Sequence, residues 1–147
     1  MDDQQARFLI DTNIFLEILL EQDMSESCTA FFRDQDLSSC FVSDFTLHSI
    51  GVILFRYKRM HLFEEFLRDF LIDTGIGVLS LSTESLIKVG NVCKKLNIDF
   101  DDAYQYVCAK ENDLKILSFD THFDKTDIDR VIPCASSQVI TSASSRP

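Results

Sequence analysis

Short apolar runs and helical stripes alternate along the chain. Phe8-Leu9-Ile10 stops abruptly at Asp11. It reads as a buried parallel strand, because a strand covered on both faces shows no polar alternation. Thr12 and Asn13 can accept from free backbone N–H groups and so cap a helix over Ile14 to Leu20. A second helix is predicted over Ser25 to Arg33. Cys40-Phe41-Val42 repeats the short-strand pattern, and Ser43 and Asp44 are helix starters for Phe45 to Arg56. Leu62, Phe63, Phe66, Leu67, Phe70 and Leu71 recur at helical spacing, with Glu64, Glu65, Arg68 and Asp69 opposite. This is the clearest amphipathic helix in the chain. Gly75 and Gly77 close it before the strand Val78-Leu79-Ser80-Leu81. Helices over Thr83 to Leu96 and Asp99 to Glu111 come next, then a strand at Lys115-Ile116-Leu117-Ser118 and an edge strand at Arg130-Val131-Ile132.

This alternation predicts an α/β domain with a mainly parallel sheet and helices on both faces. Ligands in such sheets bind outside the carboxyl ends of the strands. Asp11, Asp44 and Asp120 all fall just past strand ends. There is no internal repeat or linker. Residues 1–134 are expected to form the domain. Residues 135–147, rich in Ser and poor in large apolar side chains, are expected to be a flexible tail.

Composition narrows the class. With 147 residues, 46% hydrophobic and 26% charged, the chain has the balance of a soluble globular domain. Only 4 Gly and 2 Pro argue against a many-turned β-sandwich. No apolar run reaches the roughly 18 residues of a membrane span. Met1-Asp2-Asp3-Gln4-Gln5 is the reverse of a signal peptide. Cys28, Cys40, Cys93, Cys108 and Cys134 are scattered and form no C-x-x-C pair. They read as packed free thiols, and a reducing cytoplasm is the expected location. The net charge of −10 repels nucleic acid at long range unless divalent cations neutralise a cluster of acids.

Three carboxylates are placed to form such a cluster: Asp11 after the first strand, Asp102 near a helix start and Asp120 after a late strand. Converging carboxylates are costly to bury, and a hard divalent cation removes that penalty. Oxygen-rich sites select Mg²⁺ or Mn²⁺, which can polarise a phosphodiester and acidify water. Taken singly, each Asp reads first as a structural residue such as a helix cap and second as a metal ligand. Arg56-Tyr57-Lys58-Arg59-Met60-His61, the one dense basic stretch, reads first as a solvated helix end and second as a phosphate-guiding patch. Phe63, Phe66 and Phe70 read as core or a dimer face rather than a base-stacking platform. His122 reads as an exposed turn histidine, with contact to a metal or phosphate as the rival. Ser43 and Ser118 can orient the acids as well as cap.

Phe8-Leu9-Ile10-Asp11-Thr12-Asn13 resembles the opening of PIN domains. Asp102-Ala103-Tyr104 through Ala109, followed by Lys115-Ile116-Leu117-Ser118-Phe119-Asp120 and Phe123, resembles that family's second half. The similarity covers roughly residues 7–134 and extends to the toxin ribonucleases of type II toxin–antitoxin pairs. It implies a PIN-like three-layer α/β/α fold. It also implies a Mg²⁺- or Mn²⁺-dependent endoribonuclease with Asp11, Asp102 and Asp120 as catalytic metal ligands. Asp102 is preferred to its neighbour Asp101 because it precedes Ala103. A homodimer, an RNA substrate and a small antitoxin partner are implied as well.

One position departs from the family pattern. Ser43-Asp44-Phe45-Thr46-Leu47-His48-Ser49-Ile50 resembles the segment that carries a catalytic Glu on the third helix, and Ser49 stands at the Glu position. His48 projects elsewhere, Asp44 lies a turn too early, and Asp124 is the candidate for a fourth acid. The rival reading is therefore a catalytically impaired protein- or RNA-binding module on the same fold. A phosphoacceptor signalling domain, suggested by Asp11 and Asp44, ranks last. It lacks paired acids after the first strand and a lysine after a late one.

Overall fold

The computed structural model of the protein describes residues 5–133 and 139–141. Phe8–Ile10 form β1, buried along its length, and Thr12–Leu19 form α1. The helix opens earlier than the capping pattern suggested. Asp11 itself is the N-cap, its side chain accepting from the Thr12 N–H, so Thr12 is already helical. α2 (Ser25–Asp34) leads through a short 3₁₀ turn to β2 (Cys40–Ser43) and α3 (Asp44–Arg56). Ser43 caps α3 by accepting from the Thr46 N–H at 3.1 Å.

The amphipathic stretch that follows is helical but not uniformly α. Met60–Glu65 is α4, and Phe66–Ile72 continues it as a π-helix. The wider turn closes i→i+5 hydrogen bonds, a device that re-aims side chains within a helix. It brings Phe66 and Leu71, five positions apart, into the core. Phe66, Phe70, Phe15 and Phe32 then pack ring against ring, with centroids 5.0–5.8 Å apart. The phenylalanine stripe is core.

β3 (Gly77–Leu79), α5 (Thr83–Leu96), α6 (Phe100–Glu111), β4 (Lys115–Leu117) and β5 (Arg130–Pro133) complete the alternation. Val139–Thr141, inside the stretch expected to be a tail, form β6 and pair antiparallel with β5. The rest of that stretch, with Cys134, lies outside the described residues.

The sheet order is β3-β2-β1-β4-β5-β6, and every pairing but the last is parallel. Side chains alternate across β1: Phe8 and Ile10 join the core beneath α1–α4, whereas Leu9 joins Cys108, Ala109, Leu114, Ile116 and Phe123 beneath α6. Helices thus cover both faces, and the architecture is the three-layer α/β/α domain expected.

From β1 the chain winds outward through β2 and β3, then returns to place β4 on the other side of β1. The strand order therefore reverses between β1 and β4. Crossovers leave that point on opposite faces, opening a crevice at the carboxyl ends of the two strands.

No helix among the described residues is long and apolar enough to cross a membrane. Cys28, Cys40, Cys93 and Cys108 are free thiols.

Candidate metal centre

The crevice between β1 and β4 holds a cavity of about 270 Å³. Asp11, Asp101, Asp102, Asp120, Gln105 and Ser49 are among its lining residues. Asp11 arrives from the end of β1 and Asp120 from just past β4. Asp101 and Asp102 come from the first turn of α6, where the helix dipole favours negative charge. The aspartates singled out from the sequence therefore open on one space, although 91 and 109 positions separate Asp11 from the other two.

Asp11 is only 8% exposed. One carboxylate oxygen accepts from the Thr12 N–H at 2.8 Å and from Gln105 Nε2 at 3.0 Å. The other accepts from Ser118 Oγ at 2.6 Å and from Asn13 Nδ2 at 3.4 Å. Burial nevertheless raises its pKa above the usual carboxylate value, with Asp120 adding to the rise while Ser118, Gln105 and Thr12 oppose it. Asp11 is thus both helix cap and cavity acid.

Asp102 is 5% exposed and its carboxyl is pushed up to about 7, chiefly by burial and further by Asp120 and Asp101. His122 works against that rise, its Nδ1 lying 3.0 Å from Asp102 Oδ2 and 3.2 Å from Asp120 Oδ1. The same contacts, Asp102 foremost, raise the histidine's own pKa. The turn histidine is exposed as expected but not solitary: it is clamped between two cavity acids. Asp120 also accepts from the His122 N–H, which shapes the 3₁₀ turn Thr121–Lys125. One ligand atom each from Asp102, Asp120 and His122 lies within 4.8 Å of the others.

Supporting side chains join the acids. Ser118 Oγ donates to Asp11 and accepts from Asn13 Nδ2 and from the Asp120 N–H, linking the first acid to the last. Gln105, 2% exposed, donates to Asp11 and to Thr46 Oγ1 and accepts from Ser43 Oγ. Ser43 reaches the acids through this amide rather than directly. No motif of the sequence singles out Gln105. Its signal was position, since a residue three after Asp102 falls on the same face of a helix.

The other acids have different partners. Asp44 accepts from the Tyr104 hydroxyl at 2.6 Å and does not line the cavity. Asp124, the candidate fourth acid, makes a two-pronged ion pair with Arg130, both contacts at 3.0 Å, and is likewise absent from the cavity wall. Arg130 is buried, and the pair braces β5 against the turn after β4. Asp101 is exposed at the rim beside the buried Asp102. Ser49 does line the cavity, so a side chain at the departing position reaches the acids' space. His48 is exposed and does not line it.

A larger cavity, about 740 Å³, opens at the opposite edge of the sheet. Its rim mixes cations and anions, including the 2.7 Å Lys110–Asp127 pair. It lies at the amino ends of the strands, where open parallel sheets do not place their ligands. The smaller acidic cavity is the functional candidate.

A mainly parallel three-layer domain with converging carboxylates at its strand-order reversal is the architecture of an acidic-site α/β protein. The PIN-domain family profile matches residues 8–129, and the chain belongs to that family. No curated protein sequence matches significantly. Among solved structures, FitAB bound to a DNA fragment superposes with a TM-score of 0.74 at 19% identity, covering 86% of this chain and 94% of that one. FitAcB from Neisseria gonorrhoeae gives 0.68 at 20% identity, over 89% and 99% of the two chains. VapC20 from Mycobacterium tuberculosis, described as a sarcin-ricin loop cleaving toxin, gives 0.72 at 11% identity, over 82% and 95%.

Proposed function

We propose that the protein is a divalent-metal-dependent endoribonuclease and the toxin of a toxin–antitoxin pair, with Asp11, Asp102 and Asp120 as its catalytic metal ligands. The observation that carries this reading is the opening of three aspartates, from three separate elements, on one cavity at the carboxyl edge of the sheet. Family membership supports it. So do the fold neighbours, among them the toxin VapC20 and a toxin–antitoxin complex from Klebsiella pneumoniae that superposes with a TM-score of 0.61 at 17% identity.

The donor set fits a hard cation. Carboxylate oxygens suit Mg²⁺ and Mn²⁺, and the pKa values of Asp11 and Asp102 are raised chiefly by burial and further by neighbouring acids, a penalty that a bound cation would offset. Bound there, either metal would neutralise the acids, polarise a phosphodiester and acidify water near neutral pH. The chain's own residues prepare the pocket. Ser118 and Gln105 hold Asp11 in one orientation, and the His122 ring favours the anionic form of Asp102. A homodimer, an RNA substrate and an antitoxin partner belong to the same proposal, as does a cytoplasmic location.

The test is RNA cleavage with added Mg²⁺ or Mn²⁺, beside Asp11→Asn and Asp102→Asn. Each substitution is expected to lower cleavage by more than the roughly 10–100-fold lost with an outer-sphere partner. Metal-dependent cleavage that survives both would reject the ligand assignment.

Ser49 favours a second reading, a binding module without cleavage, because the family's Glu is missing from the cavity wall. That module would bind Mn²⁺ weakly and still associate with RNA or a partner protein. Calorimetric titration separates the two readings, since tight Mn²⁺ binding counts against the module.

A further inference from the structure

The acidic cavity does not end at its own rim. A groove of about 470 Å³ continues from it, and the two share Asn13, Leu16 and Ile53 as wall residues. The groove runs between α1 and α3 and reaches Arg56 and Tyr57 at the last turn of α3. Periodicity explains the continuity. Ser49, Ile53 and the pair Arg56–Tyr57 recur at intervals of three to four residues, so one face of α3 passes from cavity to groove. From Ser49 to Arg56 the helix rises about 10 Å at 1.5 Å per residue. That is roughly two to three steps of a stacked nucleic-acid strand at 3.4 Å each.

The far end of the groove differs in character from the cavity. Among the described residues Arg56 has no ion-pair partner, and Lys58 and Arg59 follow it on the exposed turn. Tyr57 is 62% exposed, leaving a ring face open. Glu17, the acid of the groove wall, is turned onto the Met24 N–H at 2.9 Å. A polyanion drawn to one end of the channel by the cation these acids would hold therefore meets cationic side chains and an open ring at the other.

We propose that the α1–α3 groove is the track of a single-stranded RNA, with Arg56 holding a backbone phosphate and Tyr57 stacking a base two to three nucleotides from the bond cut in the cavity. This rests on the ribonuclease reading of the cavity. The groove supplies what the acidic site lacks, a sequence-tolerant hold on the substrate through charge and stacking.

The experiment follows fluorescence anisotropy of a labelled single-stranded oligoadenylate bound to the full chain, on an Asp120→Asn background that keeps bound RNA intact. Arg56→Ala should weaken binding and flatten the log-affinity against log-salt slope by about 0.7, the share of one single-strand phosphate contact. Tyr57→Ala should weaken binding about fivefold or more without changing that slope, and Tyr57→Phe should restore it. Both side chains are exposed, so unchanged thermal melts verify folding. Affinities and slopes equal to the parent for both alanine variants overturn the proposal, as does loss of a partner protein with RNA affinity intact. Tyr57-dependent binding by a chain that never cuts RNA keeps the groove and removes the nuclease. Cleavage by a chain whose groove variants bind normally does the reverse.

Discussion

Gln105 Nε2 lies 3.0 Å from Asp11 Oδ1, joining the middle of α6 to the end of β1 across 94 residues of sequence. The same amide donates to Thr46 Oγ1 at 2.8 Å and accepts from Ser43 Oγ at 2.7 Å. A buried amide with its oxygen and both donor hydrogens engaged has one orientation available, so Asp11 is met by a fixed donor rather than a mobile one. Three elements are thereby tied to a single carboxylate.

Gln105→Leu keeps the volume and removes the donor. Ser43 and Asp11 each lose a partner, at about 1–3 kcal/mol for a buried group left short. Asp11, whose pKa already lies above the usual range, retains its proton still more firmly. Mn²⁺ affinity should fall about 10–100-fold, as for other outer-sphere partners. Calorimetry at two pH values checks the cause. Recovery of affinity at the higher pH marks a proton-linked effect that a loss of packing alone would not produce.

Much of the fold was legible because short apolar runs ending in Asp or Ser can be satisfied by few structures other than buried parallel strands. Phe8–Ile10 and Lys115–Leu117 illustrate this. Two features were hidden for physical reasons. The π-helical turn at Phe66–Ile72 answers to tertiary packing of Phe15, Phe32 and Phe70, and no local periodicity encodes it. The spacing from Asp102 marks a helix face for Gln105, and the place beside Asp120 marks His122, but their contacts with Asp11 and Asp102, 94 and 20 positions away, are carried by no linear pattern. The acids were visible through their strand-end positions and the family pattern, whereas Asp124 shared the pattern and took another partner.

That partner gives Asp124 a structural signature. Asp124→Asn should remove a two-pronged charged partner of the buried Arg130 and cost roughly 2–3 kcal/mol, discounted because the Asp124 side chain is 31% exposed. For a chain of this size each kcal/mol moves Tm by about 2–4 °C. Mn²⁺ affinity should stay as in wild type. A large loss of metal binding with little change in Tm would instead make Asp124 a ligand.

The cavity acids set a stability profile opposite to that of salt-bridged carboxylates. Asp102 titrates near 3.8 when unfolded and at about 7 when folded, so between those values the folded chain holds the extra proton. Metal-free stability should therefore fall as pH rises from about 4 to about 7. The raised pKa values of Asp11 and His122 act in the same sense, His122 only above its ordinary value. Thermal melts in chelator should show the decline, and Asp102→Asn should flatten it. Metal binding displaces protons, so Mn²⁺ affinity should climb through the same window. A metal-free Tm that rises from pH 5 to pH 7, with no dependence on Asp102, would show that the fold does not hold the extra proton on Asp102.

Ser49→Glu asks whether the departing position is still wired to the site. The side chain of Ser49 lines the acidic cavity on α3, facing a space that already holds Asp11, Asp101, Asp102 and Asp120. Without metal, another carboxylate there adds like charge at close range, and Tm should drop. With Mn²⁺ the sign reverses, because the new oxygen meets a cation rather than its own kind. Affinity should rise about tenfold or more, a gain of ~1.4 kcal/mol that is modest for a unit charge a few ångströms from a divalent ion. RNA cleavage should rise with it if loss of the Glu is what restrains the protein. A Ser49→Glu chain that is destabilised without metal, yet binds Mn²⁺ no better than wild type, would mean that the cavity gathers negative charge for some purpose other than holding a cation.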